Sequence, residues 1–143
     1  MQTLLTREEC RLVQASFAQL EPMADRVAAA FYRQLFELDP DLRLLFKIDM
    51  EQQGVKFMEK LAVAVAGLED LGSIEPLVRV LGRRHAGYGV ATKDYETVRE
   101  ALLWAIGDAL GPSFDNGLRD AWAAAFSTLS REMIRAAEGN AGA

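Results

Sequence analysis

The stretch PLVRVLGRRHAGYGV, residues 76–90, contains His85, the only histidine of the protein. Leu77, Leu81 and His85 are spaced by four residues and therefore share one face of a helix. Pro76 is typical of a first helical turn, and the two glycines just past the histidine favour the end of the helix. An imidazole near the end of a short helix, on one face with two leucines, suits a ligand for a cofactor metal. A lone histidine is more often an ordinary core or surface residue, so the rest of the chain must decide between these interpretations.

The composition indicates one globular domain in a reducing compartment. The chain has 143 residues, half of them apolar, which is enough for a real core. The net charge of −5 argues against a nucleic-acid partner. The single cysteine, Cys10, excludes an internal disulfide. We find no signal peptide and no membrane-length apolar run, so we expect a cytoplasmic protein with no membrane partner.

Every long segment carries the helical period, and none carries the alternation of a strand. The fold class predicted is therefore all-α, with about seven helices packed in layers in one domain. Caps and stops predict the helix boundaries. In the first half we expect a helix capped by Thr6 with Glu9 in a capping box, a second from near Pro22 to about Leu38, a short third from Asp39 to Phe46 and a fourth from about Met50 to Leu68. In the second half we expect the His85 helix capped by Ser73, a sixth capped by Thr92 or Asp94 and stopped at Gly111 and Pro112, and a last from about Ser113 to Ala137.

A haem site is the chemistry that the residues suit best. Such a site needs a strong axial ligand, an apolar slot and a few fixed polar donors on the opposite side. His85 supplies the ligand, and Tyr32 and Gln53 are donors on otherwise apolar helix faces. Each of these two residues also has an ordinary interpretation, as a core tyrosine bonded to backbone and as a solvated glutamine. Phe46 and Phe57 are ordinary core residues when taken alone.

Other chemistries fit poorly. A zinc site needs several histidines or cysteines, and the chain has one of each. The glycines near His85 do not follow a strand, so they form no phosphate-binding loop. A serine triad would have to use the same histidine.

Four segments together resemble the globin family over nearly the full chain. The resemblance is greatest to bacterial single-domain globins and to the haem domain of flavohaemoglobins, with a neuroglobin-like stretch at LGRRHAGYGV. The segments are FYRQLFELDPDLRLLF (31–46), QGVKFM (53–58), the His85 segment, and ALLWAIGDALGPSF followed by AW (101–122). Pro40 six residues before Phe46, and Gln53 thirty-two residues before His85, match the family's pattern.

The resemblance implies a globin fold of about seven to eight helices in a 3-on-3 sandwich around haem b (iron protoporphyrin IX). The globin domain would span residues 1–138, with 139–143 a disordered tail. The implied site consists of His85 as proximal iron ligand, Phe46 stacked on the porphyrin, Tyr32 and Gln53 as distal hydrogen-bonding pair, Phe57 lining the pocket, Lys56 and Arg83 or Arg84 near the propionates, Val90 under the ring, and Tyr95 behind the histidine.

The chain departs from the flavohaemoglobin pattern behind the histidine. Tyr95 matches, but Ala137 stands where the family's glutamate is expected, and Glu138 comes one residue late. A shift of one residue turns a helical side chain by about 100°. A carboxylate at this place would make the imidazole more electron-donating, so its loss argues against peroxidase-like chemistry. Phe57 is also bulkier than the residues common at its position and is expected to narrow the pocket.

The resemblance implies reversible binding of O2, and of NO and CO, at ferrous iron. An alternative is an NO dioxygenase that converts NO and O2 to nitrate; because we expect no fused flavin domain, it would depend on a separate reductase. A haem-based sensor or redox protein is a third interpretation. The residues do not indicate an oligomeric state.

Overall fold

The computed structural model describes residues 5–46 and 49–141, and every regular element in these ranges is helical. The α-helices are α1 (Arg7–Leu20), α2 (Ala24–Leu38), α3 (Met50–Ala66), α4 (Leu71–Gly87), α5 (Asp94–Leu110) and α6 (Asn116–Ala141). Short 3-10 helices span Glu21–Met23, Pro40–Leu45 and Gly111–Ser113. The all-α prediction is confirmed. The predicted count of seven to eight helices is too high for the described residues, because the short element after Asp39 is a 3-10 helix.

Two predicted helix starts are confirmed by their side-chain caps. The Thr6 hydroxyl accepts a hydrogen bond from the Glu9 amide, and the Glu9 carboxylate accepts one from the Thr6 amide, each at 3.0 Å. Together they form the capping box that begins α1. Asp39 accepts from the Asp41 amide at 3.2 Å and begins the 3-10 helix that contains Pro40.

The predicted start of the His85 helix is wrong. Helix α4 begins at Leu71, so Ser73 lies within the helix and Pro76 is an interior residue. A proline at this place removes only the hydrogen bond to the Gly72 carbonyl, and Gly72 is exposed, so water can satisfy that carbonyl. The apolar row that buries α4 continues upstream of the proline through Ile74, and this row decides where the helix starts.

The starts of the last two helices also differ from the prediction. Neither Thr92 nor Asp94 caps α5; instead the Asp94 carboxylate accepts from the Ala91 amide at 2.8 Å and folds the loop before the helix. Helix α6 begins at Asn116 and extends to Ala141, so its end lies within the segment 139–143 that was expected to be a tail. Residues 142 and 143 lie outside the described residues.

The helices form the predicted 3-on-3 arrangement. Helices α2, α5 and α6 pack side by side, and α1, α3 and α4 lie across them, with α3 on α2 and α4 on α6. Trp122 of α6 is 2% exposed at the centre, and its indole N–H donates to the Ser16 hydroxyl of α1 at 2.9 Å. This bond satisfies the one polar group of the indole in the core.

Two glycines bring the crossing helices close together. A Cβ on Gly54 of α3 would lie 3.1 Å from the Ala28 Cβ of α2, and a Cβ on Gly82 of α4 would lie 2.3 Å from the Met133 carbonyl oxygen of α6. The second contact is with backbone, which cannot rotate away. The same α4–α6 interface holds the buried Glu132, whose carboxylate is 4.0 Å from the Arg79 guanidinium. Gly82 lies one helical turn before His85, so this interface positions the histidine.

The close approach at Gly82 can be tested by adding one methyl group. We expect Gly82→Ala to lower the free energy of unfolding by about 1–3 kcal/mol, since the new Cβ overlaps backbone that must move. Gly87→Ala in the same helix is the matched control, because no atom lies within 4 Å of its added Cβ. The control should leave stability unchanged or raise it by up to about 1 kcal/mol, given the higher helix propensity of alanine. Equal denaturation midpoints for wild type and Gly82→Ala would contradict the packing assignment.

Candidate functional site

Helices α3 and α4 each carry two apolar rows, and only one row of each is buried. On α3, Gly54 and Met58 are buried, whereas the row that contains Gln53, Phe57, Leu61 and Ala64 is half-buried. On α4, the row Ile74, Val78 and Gly82 is buried, whereas Leu81 and His85 are half-buried and Leu77 is 37% exposed. The rows predicted from the sequence are the half-buried ones. Apolar side chains left half-exposed in this ordered way indicate a slot that a ligand completes.

From the two half-buried rows we infer a candidate cleft between α3 and α4. These helices follow each other along the chain, yet over the described residues neither packs extensively against the other. The 3-10 helix Pro40–Leu45 lies beside the segment that follows His85, since a Cβ on Gly89 would lie 3.5 Å from Leu45 Cδ2. Phe46, Val90 and Tyr95 are half-buried at its border.

The backbone of α4 sets the tautomer of the His85 ring. Its Nδ1 lies 2.6 Å from the Leu81 carbonyl oxygen, one turn earlier in the helix. A carbonyl only accepts, so Nδ1 carries the proton and the neutral ring leaves Nε2 with a free lone pair. A carbonyl bonded to one ring nitrogen is the usual orienting partner of a metal-ligating histidine. The ring is therefore prepared to coordinate a metal through Nε2.

The end of α4 also holds the histidine in place. The Val90 amide donates to the His85 carbonyl at 3.0 Å, and the Gly89 amide donates to the Ala86 carbonyl at 3.1 Å. Gly89 has φ of +96°, which completes a Schellman motif. The predicted stop after the histidine is confirmed, and the motif uses the carbonyl of His85 itself.

Tyr32 and Gln53 are brought together across the α2–α3 crossing. Tyr32 is buried, and the Gln53 side-chain amide donates to its hydroxyl at 3.3 Å. The crossing at Gly54 and Ala28 sets this distance, because Gly54 follows Gln53 and Ala28 precedes Tyr32 by one turn. The phenol oxygen accepts from the amide, so its own hydrogen stays available to donate.

Burial keeps the Tyr32 phenol protonated. Desolvation raises the pKa of Tyr32 above its ordinary value of 10.0, and the hydrogen bond from Gln53 opposes that shift only in part. The phenol is consequently a donor throughout the neutral pH range.

An aromatic cluster surrounds the Tyr32 ring. Phe46 packs edge-on against Tyr32 with ring centroids 5.4 Å apart, and Phe36 packs against both rings. Phe57 stacks flat on Phe31, with centroids 4.4 Å apart and an interplanar angle of 1°. The Phe57 ring is thus held against α2. That its bulk narrows the pocket stays a prediction.

The basic residues expected near propionates lie on the surface around the cleft. Lys56 and Arg84 are exposed and Arg83 is half-buried. Within the described residues, none of the three forms an ion pair. Their charges are therefore available to an anionic group at the mouth of the cleft.

The group behind His85 lacks a carboxylate. The Tyr95 ring lies 6.5 Å from the imidazole ring, and burial raises the pKa of the Tyr95 phenol. Glu138 is exposed on α6, and Ala137 is half-buried. Among the described residues no acidic side chain bonds to Tyr95, and the orienting hydrogen bond of the imidazole is the one that Nδ1–H donates to the Leu81 carbonyl.

These observations fit an iron–porphyrin in the cleft. The donor set offers one imidazole nitrogen on α4 and one phenol hydrogen on α2, together with the half-buried apolar rows of α3 and α4. No group of three or more His, Cys, Asp or Glu side chains suited to a bare metal ion occurs in the described ranges. None of the helices in those ranges is both long and apolar enough for a membrane span.

Several residues of the site are not evident from the sequence. Gly54 and Gly82 set the helix crossings, and their only sequence signal is their place on the buried row of an apolar helix. Phe31 as the stacking partner of Phe57, and Leu81 as the partner of the His85 Nδ1, depend on contacts that only the folded chain defines.

Comparison with known proteins agrees with this fold. The sequence model of the globin family matches residues 29–133. Neuroglobin of Danio rerio is 29% identical over 145 residues, covering 92% of this chain and 91% of neuroglobin. The flavohemoprotein of Bordetella parapertussis is 31% identical over 135 residues, and the match covers 92% of this chain but only 33% of that protein.

Two solved structures share the fold. A carbene transferase engineered from a Rhodothermus marinus protein, provisionally assigned as a nitric oxide dioxygenase, has a TM-score of 0.88 and 28% identity, covering 96% of both chains. A bacterial globin of Campylobacter jejuni has a TM-score of 0.86 and 20% identity over 96% of this chain. The second likeness supports the fold alone.

The protonation of Tyr32 has a measurable signature at high pH. The folded state retains the Tyr32 proton above pH 10, where the unfolded chain loses it, so the contribution of this group to stability is complete below that pH and falls above it. We expect the phenolate absorbance of wild type and Tyr32→Phe to differ only above about pH 10. A difference at about pH 8 would show that Tyr32 ionises early and cannot serve as a constant donor.

Proposed function

Because the chain belongs to the globin family, we propose that it is a haem-b protein that binds O2 reversibly and holds it through Tyr32 and Gln53. The family and its flavohemoprotein relatives imply haem and the binding of diatomic gases. The haem iron, when bound, supplies an open coordination position at which a diatomic ligand can be held and gain partial negative charge.

The single observation that carries the proposal is the contact between the Gln53 amide and the Tyr32 hydroxyl. The amide donates to the phenol oxygen, so the phenol hydrogen is directed away from the amide and can be offered to a ligand in the cleft. Both groups are preorganised by the crossing of α2 and α3, and neither must move when a ligand enters. Hydrogen bonds in such a chain polarise one another, so the amide strengthens the phenol as a donor.

The two residues therefore have different roles. Tyr32 touches the ligand and stabilises its negative charge. Gln53 is a positioning residue that acts through the phenol. His85 would hold the haem iron, with Leu81 fixing the tautomer of the imidazole, and Phe46 and Val90 would pack against the porphyrin. Lys56 and Arg83 or Arg84 offer charges for the propionates at the cleft mouth.

The energies predict slow release of O2. A hydrogen bond to a charged group contributes roughly 1.5–3 kcal/mol. Each 1.4 kcal/mol is about tenfold in affinity. The phenol should thus slow O2 dissociation by roughly 10- to 150-fold, which suits storage or retention better than delivery.

A double-mutant cycle tests these roles. We expect Tyr32→Phe to speed O2 dissociation by roughly 10-fold or more, and Gln53→Leu by a smaller factor. In the Tyr32→Phe background, Gln53→Leu should change the rate by less than about twofold, because the amide no longer has a phenol to polarise. The rates are measured by rapid mixing of the O2-loaded protein with CO.

Gln52→Leu is the matched control, since Gln52 is the exposed neighbour of Gln53. It should leave the rate unchanged. An equal acceleration by Gln53→Leu in both backgrounds would mean that the amide contacts the ligand directly. No acceleration in Tyr32→Phe would remove the phenol from the mechanism.

A second candidate function is NO dioxygenation with a separate reductase. The specific support is the 31% identity to flavohemoprotein and the TM-score of 0.88 to the Rhodothermus marinus protein. In that reaction NO, O2 and one electron give nitrate. A bound haem would supply this electron and would be ferric afterwards. A reductase must return the electron. The missing carboxylate behind Tyr95 does not affect this electron count, but it makes the imidazole a weaker electron donor than in flavohaemoglobins that carry the glutamate.

The electron count gives a direct test. Without a reductase, we expect O2-loaded protein to consume about one NO per haem and then stop, since no electron restores the ferrous state. With an added flavin reductase, NO consumption should continue for many turnovers if this function applies. The readout is an NO electrode, with heat-denatured globin as control. A single burst that the reductase does not extend would exclude the dioxygenase and leave reversible O2 binding in place.

A further inference from the structure

The middle of α5 is apolar on every side, yet one side of it is open. Ala101, Leu102, Leu103, Ala105 and Ile106 are all buried, whereas Trp104 among them is 42% exposed. A helix that is apolar all round is normally covered all round. Here α1, α2 and α6 cover the other sides and leave the tryptophan uncovered.

The exposed tryptophan has a cationic partner on the neighbouring helix. The Arg33 guanidinium of α2 lies 5.8 Å from the centre of the Trp104 ring, in cation–π contact. Arg33 forms no ion pair within the described residues, so its charge is not used by a carboxylate of the same chain. Tryptophan and arginine are the side chains most enriched at the energetic centres of protein interfaces.

A groove lies on the same face. It is shallow and open, with a volume of about 310 Å³, and is lined by Leu103, Trp104, Gly107, Asp108, Phe114 and Arg119. Gly107 supplies its floor without a side chain, and Phe114 supplies an apolar wall. The molecule therefore presents a large apolar projection and an apolar recess next to each other.

We call this region the Trp104 face, defined by Arg26, Arg33, Glu100, Trp104, Asp108 and Arg119. Its charges are mixed: Arg26 pairs with Asp108 at 3.4 Å, and Arg119 pairs with Glu100 at 3.6 Å. Three arginines and two carboxylates give a local charge near +1, whereas the whole chain carries −5. Two copies of this acidic protein therefore repel less at this face than at a face that carries the negative charge of the whole chain.

These features select a second copy of the same chain as the partner. The carboxylates of the face would repel a strongly acidic partner, and its arginines would repel a strongly basic one. An identical face rotated by 180° can instead place arginines beside carboxylates. A projection next to a recess is the arrangement that an isologous interface can use, since the rotation brings each projection to the partner's recess. We infer that the Trp104 face is the interface of a two-fold homodimer in which Trp104 of each copy lies in the groove of the other.

The available surface is sufficient for such a dimer. Stable interfaces bury about 800 Å² of each partner. That is about a tenth of the 8136 Å² surface of this chain. The α2 and α5 helices that form the face are 15 and 17 residues long, which is enough to present that area. The cleft beside His85 lies between other helices and is left open by this arrangement.

Sedimentation velocity of the haem-loaded protein tests the inference. Between about 1 and 500 µM we expect a monomer–dimer equilibrium. Trp104→Glu should weaken it by about 100-fold or more, because each dimer loses two central anchors. Val63→Glu is the matched control: Val63 is 47% exposed on α3, outside the face, and the substitution adds the same charge. It should leave the dimer intact.

Arg33→Glu is the second variant and should also weaken the dimer. Since Arg33 is exposed, this variant decides the question if Trp104→Glu loses its helical circular dichroism. A wild type that remains monomeric at about 500 µM overturns the inference. So does a dimer that survives both substitutions in the face, or one that Val63→Glu dissociates equally. None of these outcomes depends on O2 binding.

Discussion

The backbone contact between Gly82 and Met133 is the constraint on which the position of His85 depends. It brings α4 close to α6 on one side only, and α4 makes no comparably extensive packing with any other helix in the described residues. The buried row that faces α6 leaves the neighbouring row, which contains Leu81 and His85, directed at open space. The cleft thus follows from a one-sided attachment. A helix packed on both sides would have no half-buried row left for a cofactor.

The position of α3 also depends on a close helix contact, but this contact involves a side chain, that of Ala28, and not backbone. Gly54 and Ala28 let α3 approach α2, and this approach sets the distance between the Gln53 amide and the Tyr32 phenol. A buried phenol with no partner would cost free energy, so the amide also stabilises the fold. The phenol oxygen of Tyr32 accepts this hydrogen bond, and the phenol hydrogen remains available to donate. The bond that stabilises the fold therefore leaves the phenol hydrogen available for the donor role proposed for Tyr32.

Helices α2 and α5 each carry one residue of the candidate site and one residue of the Trp104 face. Tyr32 and Arg33 are consecutive on α2, and consecutive residues in a helix point about 100° apart. One is buried beside the cleft and the other holds Trp104 at the surface. In α5, Tyr95 lies near the imidazole, while Trp104 lies two to three turns further along on an uncovered side.

The sequence by itself determined the all-helical class, the capping box at Thr6, the helix stop after His85 and the rows of side chains that border the cleft. These features are local: they depend on residues within one or two helical turns. The sequence alone did not determine that α4 begins at Leu71. The free-energy cost of Pro76 inside a helix is local, whereas the stabilisation from burying Ile74 depends on contacts with distant parts of the chain. The direction of the Gln53 amide, the stacking of Phe57 on Phe31 and the exposure of Trp104 were decided only by the tertiary structure. Each depends on which helices cross, and the crossings depend on two glycines whose importance shows only when a second backbone lies against them.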